Sequence, residues 1–346
     1  MIVVRPVQKR DVDVVVALAR RAEAGLTTLP KDRRLLAERV DRSCDSFSRS
    51  VAKPAGESYL LVGEDRGTGG IVGTSGIVSR LGGFEPFYAY DVRTVVHESK
   101  TLNVRREIQA LYLIAEHDGP SEIGTLFVDP NERGAGHGAL LSKARFLFMA
   151  EYRPAFASPV IAELRGMSDP HGRPPFWEAV GRHFFEIDFA RADYMSAQDK
   201  KFIAELMPTH PIYIPLLPRE AQRAIGQVHD KTGPALEILK QEGFLPSGKV
   251  DIFDAGPIVV CPLDRIRSVR ESTRRRVQLT DELPADARTH VIASTPADRR
   301  EFHACLGRLS VVDADSVRMG RCTAALLGVA CGDFVRCVPL RAARER

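Results

Sequence analysis

The chain has 346 residues, 44% of them hydrophobic and 27% charged, the balance of a globular protein with a substantial core and length for two domains. Its 49 basic and 45 acidic residues leave a net charge of +4, too even to point to nucleic acid. No stretch approaches the roughly 20 continuous apolar residues of a membrane span, and the N-terminus MIVVRPVQKRDVD lacks the apolar segment of a signal peptide, so a cytoplasmic protein with no membrane or nucleic-acid partner is expected.

Ile2–Arg5 reads as a short strand. Asp11 is placed to cap a helix from Val12 to about Ala24, which Gly25 ends. The connector Gly25–Pro30 is short enough to reach over a pocket, or it is a plain link to a helix over Asp32–Phe47. Ser58–Glu64 and Gly70–Ser79 are strands joined by a glycine-containing turn. Phe87–His97 and Glu107–Ala115 form a second antiparallel pair.

Next comes SEIGTLFVDPNERGAGHGALLSKARFLFMAE, Ser121–Glu151. Gly124–Val128 is an apolar strand that Asp129, Pro130 and Asn131 end. The loop Arg133-Gly134-Ala135-Gly136-His137-Gly138 opens a helix with Leu140, Ala144, Leu147 and Phe148 on its apolar side. Glycines let a ligand approach backbone N–H groups, and the first N–H groups of a helix lie unbonded at its positive end. Such a loop is a cradle for anions, pyrophosphate above all; a glycine-rich turn without a ligand is the alternative.

Beyond it, Ser158–Leu164 reads as a strand parallel to the one before the loop, by the right-handed crossover rule. Phe176–Arg182 is a short helix, Phe184–Phe189 a strand, Ala192–Met207 a helix, Ile212–Leu217 extended, and Arg219–Val228 and Gly233–Gly243 helices. VDIFDAGPIVVCP, from Val250, is a hairpin turning at Ala255-Gly256. The basic run Arg265–Arg276 lacks interleaved aromatics and carries Glu271, so a solvated linker or helix face outweighs a nucleic-acid site. Thr289–Ser294, Leu309–Val312 and Asp333–Leu340 are strands, with a helix near Arg321–Gly328. Five of the six cysteines (Cys44, Cys261, Cys305, Cys322, Cys331, Cys337) lie beyond residue 260, without C-x-x-C spacing; buried reduced thiols are expected, and neither they nor the histidines suggest a metal site.

Two motifs are discounted. Gly134–Ala139 fits a relaxed dinucleotide pattern but follows antiparallel strands rather than βαβ units. Gly243–Lys249 has P-loop spacing, but Val250 replaces the magnesium-holding Ser or Thr.

The Arg-x-x-Gly-x-Gly spacing from Arg133 resembles the acyl-CoA loop of the GNAT superfamily of N-acyltransferases, and the order of elements matches that plan. RPV with GLTTLP downstream, VHESKTLNV (Val96–Val104), GTLFVDP (Gly124–Pro130), LLSKARFLFMA (Leu140–Ala150), FIAELMPTHPIY (Phe202–Tyr213), IGQVH (Ile225–His229) and VDIFDAGP (Val250–Pro257) together resemble the arginine N-succinyltransferase family. The resemblance is close over residues 1 to 265 and looser in the tail. It implies an α/β (α+β) fold: a GNAT-like acyltransferase domain with a helical extension over 1–248, its sheet mixed and largely antiparallel, and a small β-rich, barrel-like domain over 249–346.

It also implies transfer of succinyl from succinyl-CoA to the α-amino group of L-arginine, with His229 as catalytic proton donor and Leu126 at the succinyl-CoA. Val128, Arg133, Gly134, Gly136 and Gly138 would complete the CoA site. Glu163, Arg165 and Asp169, just past a strand end, are candidates for the acceptor, with Lys100 and Asn103 behind them. An ornithine acceptor, an acetyl-CoA donor or a non-catalytic acyl-CoA-binding partner subunit are the alternatives. A homodimer, or pairing with a related subunit, is expected.

Overall fold

One sheet, running through both the N-terminal and the C-terminal part of the chain, carries almost every other element. The computed structural model describes residues 1–22, 29–196 and 201–341. In chain order the described elements are β1 (Ile2–Pro6), α1 (Val12–Arg21), α2 (Arg33–Ser48), β2 (Ser58–Asp65), β3 (Ile71–Val78), β4 (Gly82–Ser99), β5 (Val104–Asp118), β6 (Ser121–Val128), α3 (His137–Glu151) and β7 (Val160–Glu163). There follow α4 (Pro175–Ala179), α5 (Gly181–Phe185), α6 (Phe189–Ser196), α7 (Lys201–Leu206), β8 (Ile212–Tyr213), α8 (Arg219–Ala224), α9 (Gly233–Gln241), β9 (Leu245–Val250) and β10 (Pro257–Cys261). Last come α10 (Arg267–Glu271), β11 (Thr273–Thr280), β12 (Arg288–Ser294), β13 (Ala304–Val311), β14 (Ser316–Gly320), α11 (Arg321–Leu327) and β15 (Phe334–Pro339).

The first part of the sheet runs β1-β2-β3-β6-β7-β10-β9-β4-β5-β8. All its pairs are antiparallel except β6–β7, which is parallel as the crossover rule requires. Alternation along β2 sorts the core into two layers. Tyr59 and Leu61 pack with Phe148 of α3, while Leu60 and Val62 pack with α1 and α2. Asp32 caps α2, accepting from the N–H groups of Arg34 (2.9 Å) and Leu35 (3.0 Å). Asp11, expected to cap α1, instead takes Arg5 at 2.7 and 3.0 Å and the N–H of Gln8 at 2.8 Å; the buried guanidinium is a stronger partner than an orphan amide.

β11 to β15 close on themselves, in the order β12-β15-β11-β14-β13 with β13 returning to β12, around Val277, Ile292, Leu309, Val317 and Met319. This small barrel joins the sheet through β1, which pairs with β2 on one side and with β13 on the other, Val3 opposite Cys305 and Val4 opposite Ala304. The expected domain division at 248/249 falls inside β9, and β10 still pairs with β7.

Some elements differ from expectation. Phe184–Phe189 is no strand: α5 ends at Glu186 in a left-handed conformation (φ 54°), and Phe185 and Phe189 pack on Trp177, ring centroids 5.4 and 6.2 Å away. An alternating aromatic run thus serves a helical core. The helix from Arg219 stops at Ala224, because Gly226 turns at φ 72° and Val228 bridges to Gly166. The basic run is half α10 and half β11, and Arg267 is buried. The cysteines are unpaired, but Cys322 and Cys331 are exposed and only Cys261, Cys305 and Cys337 are buried.

α3 is buried all round from Leu140 to Met149, between the sheet and the barrel. Tyr152 at its end donates to Pro296 O at 2.8 Å, and Arg336 of β15 pairs with Glu151 at 2.9 Å. Deeper, fully buried Glu242 holds both Lys143 of α3 and Arg267 of α10, the latter at 3.1 Å, and accepts from the Ser268 N–H at 2.7 Å. Burial works to raise the Glu242 pKa, but the two cations outweigh it and hold the carboxyl below its ordinary range.

Removing one member of such a group leaves uncompensated buried charge. Glu242→Ala should therefore cost about 3–5 kcal/mol of stability in denaturant unfolding, whereas a loss under about 1 kcal/mol is what a surface pair would give. Because the folded pKa is depressed, the contribution is present above the ordinary glutamate pKa of about 4.3 and fades as pH falls through the folded value.

Candidate active site

β6 and β7 are hydrogen-bonded neighbours only at Ser121–Val160 and Glu122–Ile161, and beyond that they part. A bulge in the β3–β6 register, between Thr74 and Gly76, marks the same place: Thr125 sits at φ 54° with its carbonyl taken by the Thr74 hydroxyl at 2.9 Å. Gly76 is needed opposite, since a Cβ there would lie 2.8 Å from Thr125 Oγ1. Past the bulge, the Asp129 N–H donates to Val72 O of β3 at 2.9 Å. By alternation, Phe127 also faces β3, so the N–H groups of Leu126 and Val128 turn toward the gap.

The gap leads to the glycine loop. Gly134 and Gly136 adopt φ of 91° and 82°, which side chains disfavour, and Gly136 is the residue before the first turn of α3. A Cβ on Gly138 would touch only Val128 Cγ2 at 3.8 Å, so space lies over the helix N-terminus. Arg133 Nε donates to Val128 O at 3.3 Å. A 1780 Å³ cavity takes in Leu126, Val128, Arg133, Gly134, Gly136 and Gly138: the structure brings all six expected CoA residues together. Pro234, Ala235, Ile238 and Leu239 of α9 form an apolar part of the wall. This is room for a long ligand with a phosphate end at the loop.

The other end of the same cavity is acidic. Asp193 of α6 and Asp251 and Asp254 of the β9–β10 turn line it, with Glu163 at the end of β7 and Arg165 just past it. Asp254 is clamped by the N–H groups of Gly166 (2.7 Å) and Gly256 (2.8 Å), and neither glycine has room for a side chain: a Cβ would fall 2.5 Å from Asp254 O and 2.0 Å from Leu164 O respectively. Burial and the Asp251 charge push the Asp193 pKa up to about 7, although Arg165 pulls against them. Burial and Asp251 also raise Asp254 well above the carboxylate range.

The expected acceptor residues divide. Glu163 and Arg165 line the cavity. Asp169 does not; it serves its own loop, accepting from the N–H groups of His171 (2.8 Å) and Arg173 (2.9 Å) and pairing with the Arg173 guanidinium. Lys100 and Asn103 lie in the turn at the tip of the β4–β5 hairpin, apart from the cavity lining. Residues 25–28 of the connector Gly25–Pro30 lie outside the described residues; of its remainder, Leu29 is buried and Pro30 lines the cavity. His229 is half-buried just behind the lining. Its N–H donates to Arg165 O at 2.9 Å, and its Nδ1 accepts from the Lys231 N–H at 3.2 Å; Arg165 and Lys231 both line the cavity. Asp193, Asp251 and Asp254 were not singled out from sequence. The sign for two of them was the VDIFDAGP motif, Val250–Pro257, which from sequence reads as part of a hairpin turning at Ala255-Gly256.

A parallel pair that parts beside a bulge, with a glycine loop and helix N-terminus at its mouth, defines a GNAT-type acyltransferase. The chain belongs to the arginine N-succinyltransferase beta subunit family, matching it over residues 2–268 and matching that family's C-terminal domain over 274–339. It is 43% identical to an arginine N-succinyltransferase of Yersinia pseudotuberculosis over 347 residues, 98% of each chain, and 42% identical to that of Citrobacter koseri over 343 residues, again 98% of each. The solved structure of subunit AI of the arginine/ornithine succinyltransferase from Pseudomonas aeruginosa superposes with a TM-score of 0.90 at 34% identity, covering 99% of both chains.

The loop geometry makes a direct prediction. Gly136→Ala should weaken CoA binding about tenfold in calorimetry, since a side chain at positive φ costs about 1–2 kcal/mol unless the loop shifts off its anion-binding shape. Gly69→Ala, at a similar φ of 71° in the β2–β3 turn, should leave CoA affinity unchanged.

Proposed function

We propose that this protein transfers the succinyl group of succinyl-CoA to the α-amino group of L-arginine. What carries the reading is the continuity of one cavity from an anion-binding helix N-terminus, through a parted strand pair, to the carboxylates Asp193, Asp251 and Asp254; family membership supplies the names of the substrates. The CoA phosphates sit on the loop at Arg133, Gly134, Gly136 and Gly138, and the pantetheine arm lies along Leu126 and Val128, taking their N–H groups as a third strand would. The guanidinium of arginine meets the acidic end, where a cation is matched by carboxylates. Arg165 and Lys231, which line the cavity, are assigned to the acceptor's own carboxylate.

The uncharged amine attacks the thioester carbon, the C–S bond breaks, and the sulfur leaves as a thiolate that takes a proton. His229 is the proton donor. The resting ring, with Nδ1 accepting from the Lys231 N–H, carries its proton on Nε2, and it takes up a second proton to act as the donor, since only the imidazolium is acidic enough to protonate a thiolate. The proton shed by the attacking nitrogen replaces the one delivered to sulfur, so the histidine ends as it began. The working division of the chain is near residue 272, between α10 and β11, and the protein acts in the cytoplasm as a homodimer or with a related subunit.

The name of the Pseudomonas relative raises ornithine as a second acceptor. Thiol release measured with succinyl-CoA and acetyl-CoA, each against arginine and ornithine, separates the readings; release with succinyl-CoA and arginine is expected to dominate, and no release with any pair refutes catalysis. His229→Ala should lower kcat about 10²–10⁴-fold, the usual worth of a general acid, with succinyl-CoA affinity nearly intact; wild-type turnover would remove the histidine from the mechanism.

A second test is pH. A carboxyl with a pKa of about 7 in the free protein must ionise to hold a guanidinium, so arginine binding should tighten between pH 6 and 8 and release protons. Asp193→Asn should flatten that profile. Calorimetry in buffers of different ionisation heat reads both, and a flat wild-type profile would place the guanidinium elsewhere.

A further inference from the structure

We propose that Arg145 holds the free carboxylate of the succinyl group and so selects a dicarboxylic acyl donor; this deepens the succinyl-CoA reading above and rests on it. Arg145 lies on α3, is 2% exposed and lines the same cavity as Leu126 and Val128. Its side chain reaches the place where β6 has lost β7 as a neighbour. There Nη1 donates to Gly124 O at 3.1 Å, Nη2 to Ser142 Oγ at 2.9 Å and Nε to Ser142 O at 3.3 Å. Each acceptor is neutral. A guanidinium has five N–H groups and stays charged, so two N–H groups and a full positive charge remain at the root of the gap.

This sets Arg145 apart from other buried cations here. Arg5 lies between Asp11 and Glu64, and Lys143 and Arg267 share Glu242. Arg145 has no carboxylate partner among the described residues, and burial alone draws its pKa down to about 9. A buried charge left unpaired is costly, and it persists where an anion is to arrive.

Position says which anion. Arg145 is eight residues into α3 from His137, roughly 12 Å along the axis from the N-terminus at 1.5 Å per residue. The CoA phosphates belong at that N-terminus, so the anion at Arg145 comes from the acyl end of the donor. A carboxylate matches the planar fork of a guanidinium in a way that a methyl terminus does not. Two other arginines lie near the reacting end: Arg39, which donates to Thr125 Oγ1 at 2.8 Å, faces the Glu122 charge, and Arg165 faces the Asp193 charge, which suits it to the acceptor side.

The test compares kcat/KM for succinyl-CoA and butyryl-CoA, equal in acyl length but differing in the terminal carboxylate, in wild type, Arg145→Gln and Arg145→Lys. The glutamine keeps an amide donor for Gly124 O and removes the charge; the lysine keeps the charge and removes the fork. Arg145→Gln should lose about 10²–10³-fold with succinyl-CoA and less than about threefold with butyryl-CoA, as when a site loses its partner for one polar group of the substrate. Arg145→Lys should fall between wild type and Arg145→Gln on succinyl-CoA alone, and affinity for free CoA should be unchanged in both variants. Parallel losses with the two donors, or unchanged discrimination in both variants, would make Arg145 a strut for the parted strand and overturn the proposal. A wild type that does not prefer succinyl-CoA would refute the donor reading itself, a failure distinguishable from the first.

Discussion

The parting of two parallel strands is the constraint from which the rest of the structure follows. A strand left without a neighbour exposes amide groups that must find partners, and β6 meets this in three ways. At its root, the Gly124 carbonyl goes to Arg145. At the bulge, Thr125 is fixed by Thr74 and by Arg39, whose Nη2 reaches Thr125 Oγ1 at 2.8 Å. Beyond the bulge, the N–H groups of Leu126 and Val128 turn toward the open gap. The same opening brings the N-terminus of α3 and the end of β7 to the walls of a single cavity, so the anion cradle and the acidic end face one another across the split.

Keeping the gap open requires that α3 not tilt into it. The helix is enclosed on every side from Leu140 to Met149, and polar groups on its buried surface decide its seating. Lys143 is drawn toward Glu242 and Arg267, while Glu151 and Tyr152 are tied to Arg336 and Pro296 of the C-terminal barrel. Dispersion alone lets a helix slide along a sheet; directional charge pairs at several points along it fix its register. The barrel thus buttresses the catalytic layer through the far side of its central helix, without adding a residue to the lining of the cavity.

What was legible in the sequence is what depends on local patterns. The strand ending at Asp129, the glycine loop and the start of α2 near Asp32 all came from turn chemistry and periodicity, and all lie where those rules put them. The parallel placement of β7 followed from chain handedness. The Asp11 cap did not hold, because Arg5, six residues away, is a better partner than a helix amide; nothing local announces that competition. The aromatic run Phe184–Phe189 misled because alternation cannot tell a sheet face from a small helical core around Trp177. At the site, the residues around the glycine loop were readable as one contiguous segment, and they line one cavity. The acidic end was not: Asp193, Asp251 and Asp254 come from a helix and a distant turn, and only the fold makes neighbours of them. Asp169 had the right chemistry beside the right strand but belongs to a loop that consumes it.

The strand β1 is paired with both halves of the molecule at once, with β2 on one edge and with β13 on the other. Val3 leaves the ribosome about 300 residues before its partner Cys305. Until then one edge of β1 offers an open ladder to any passing strand, which is an aggregation risk during synthesis. Closure of the barrel onto that edge is therefore also the step that ends the nascent strand's exposure, and it ties completion of the catalytic sheet to synthesis of the barrel.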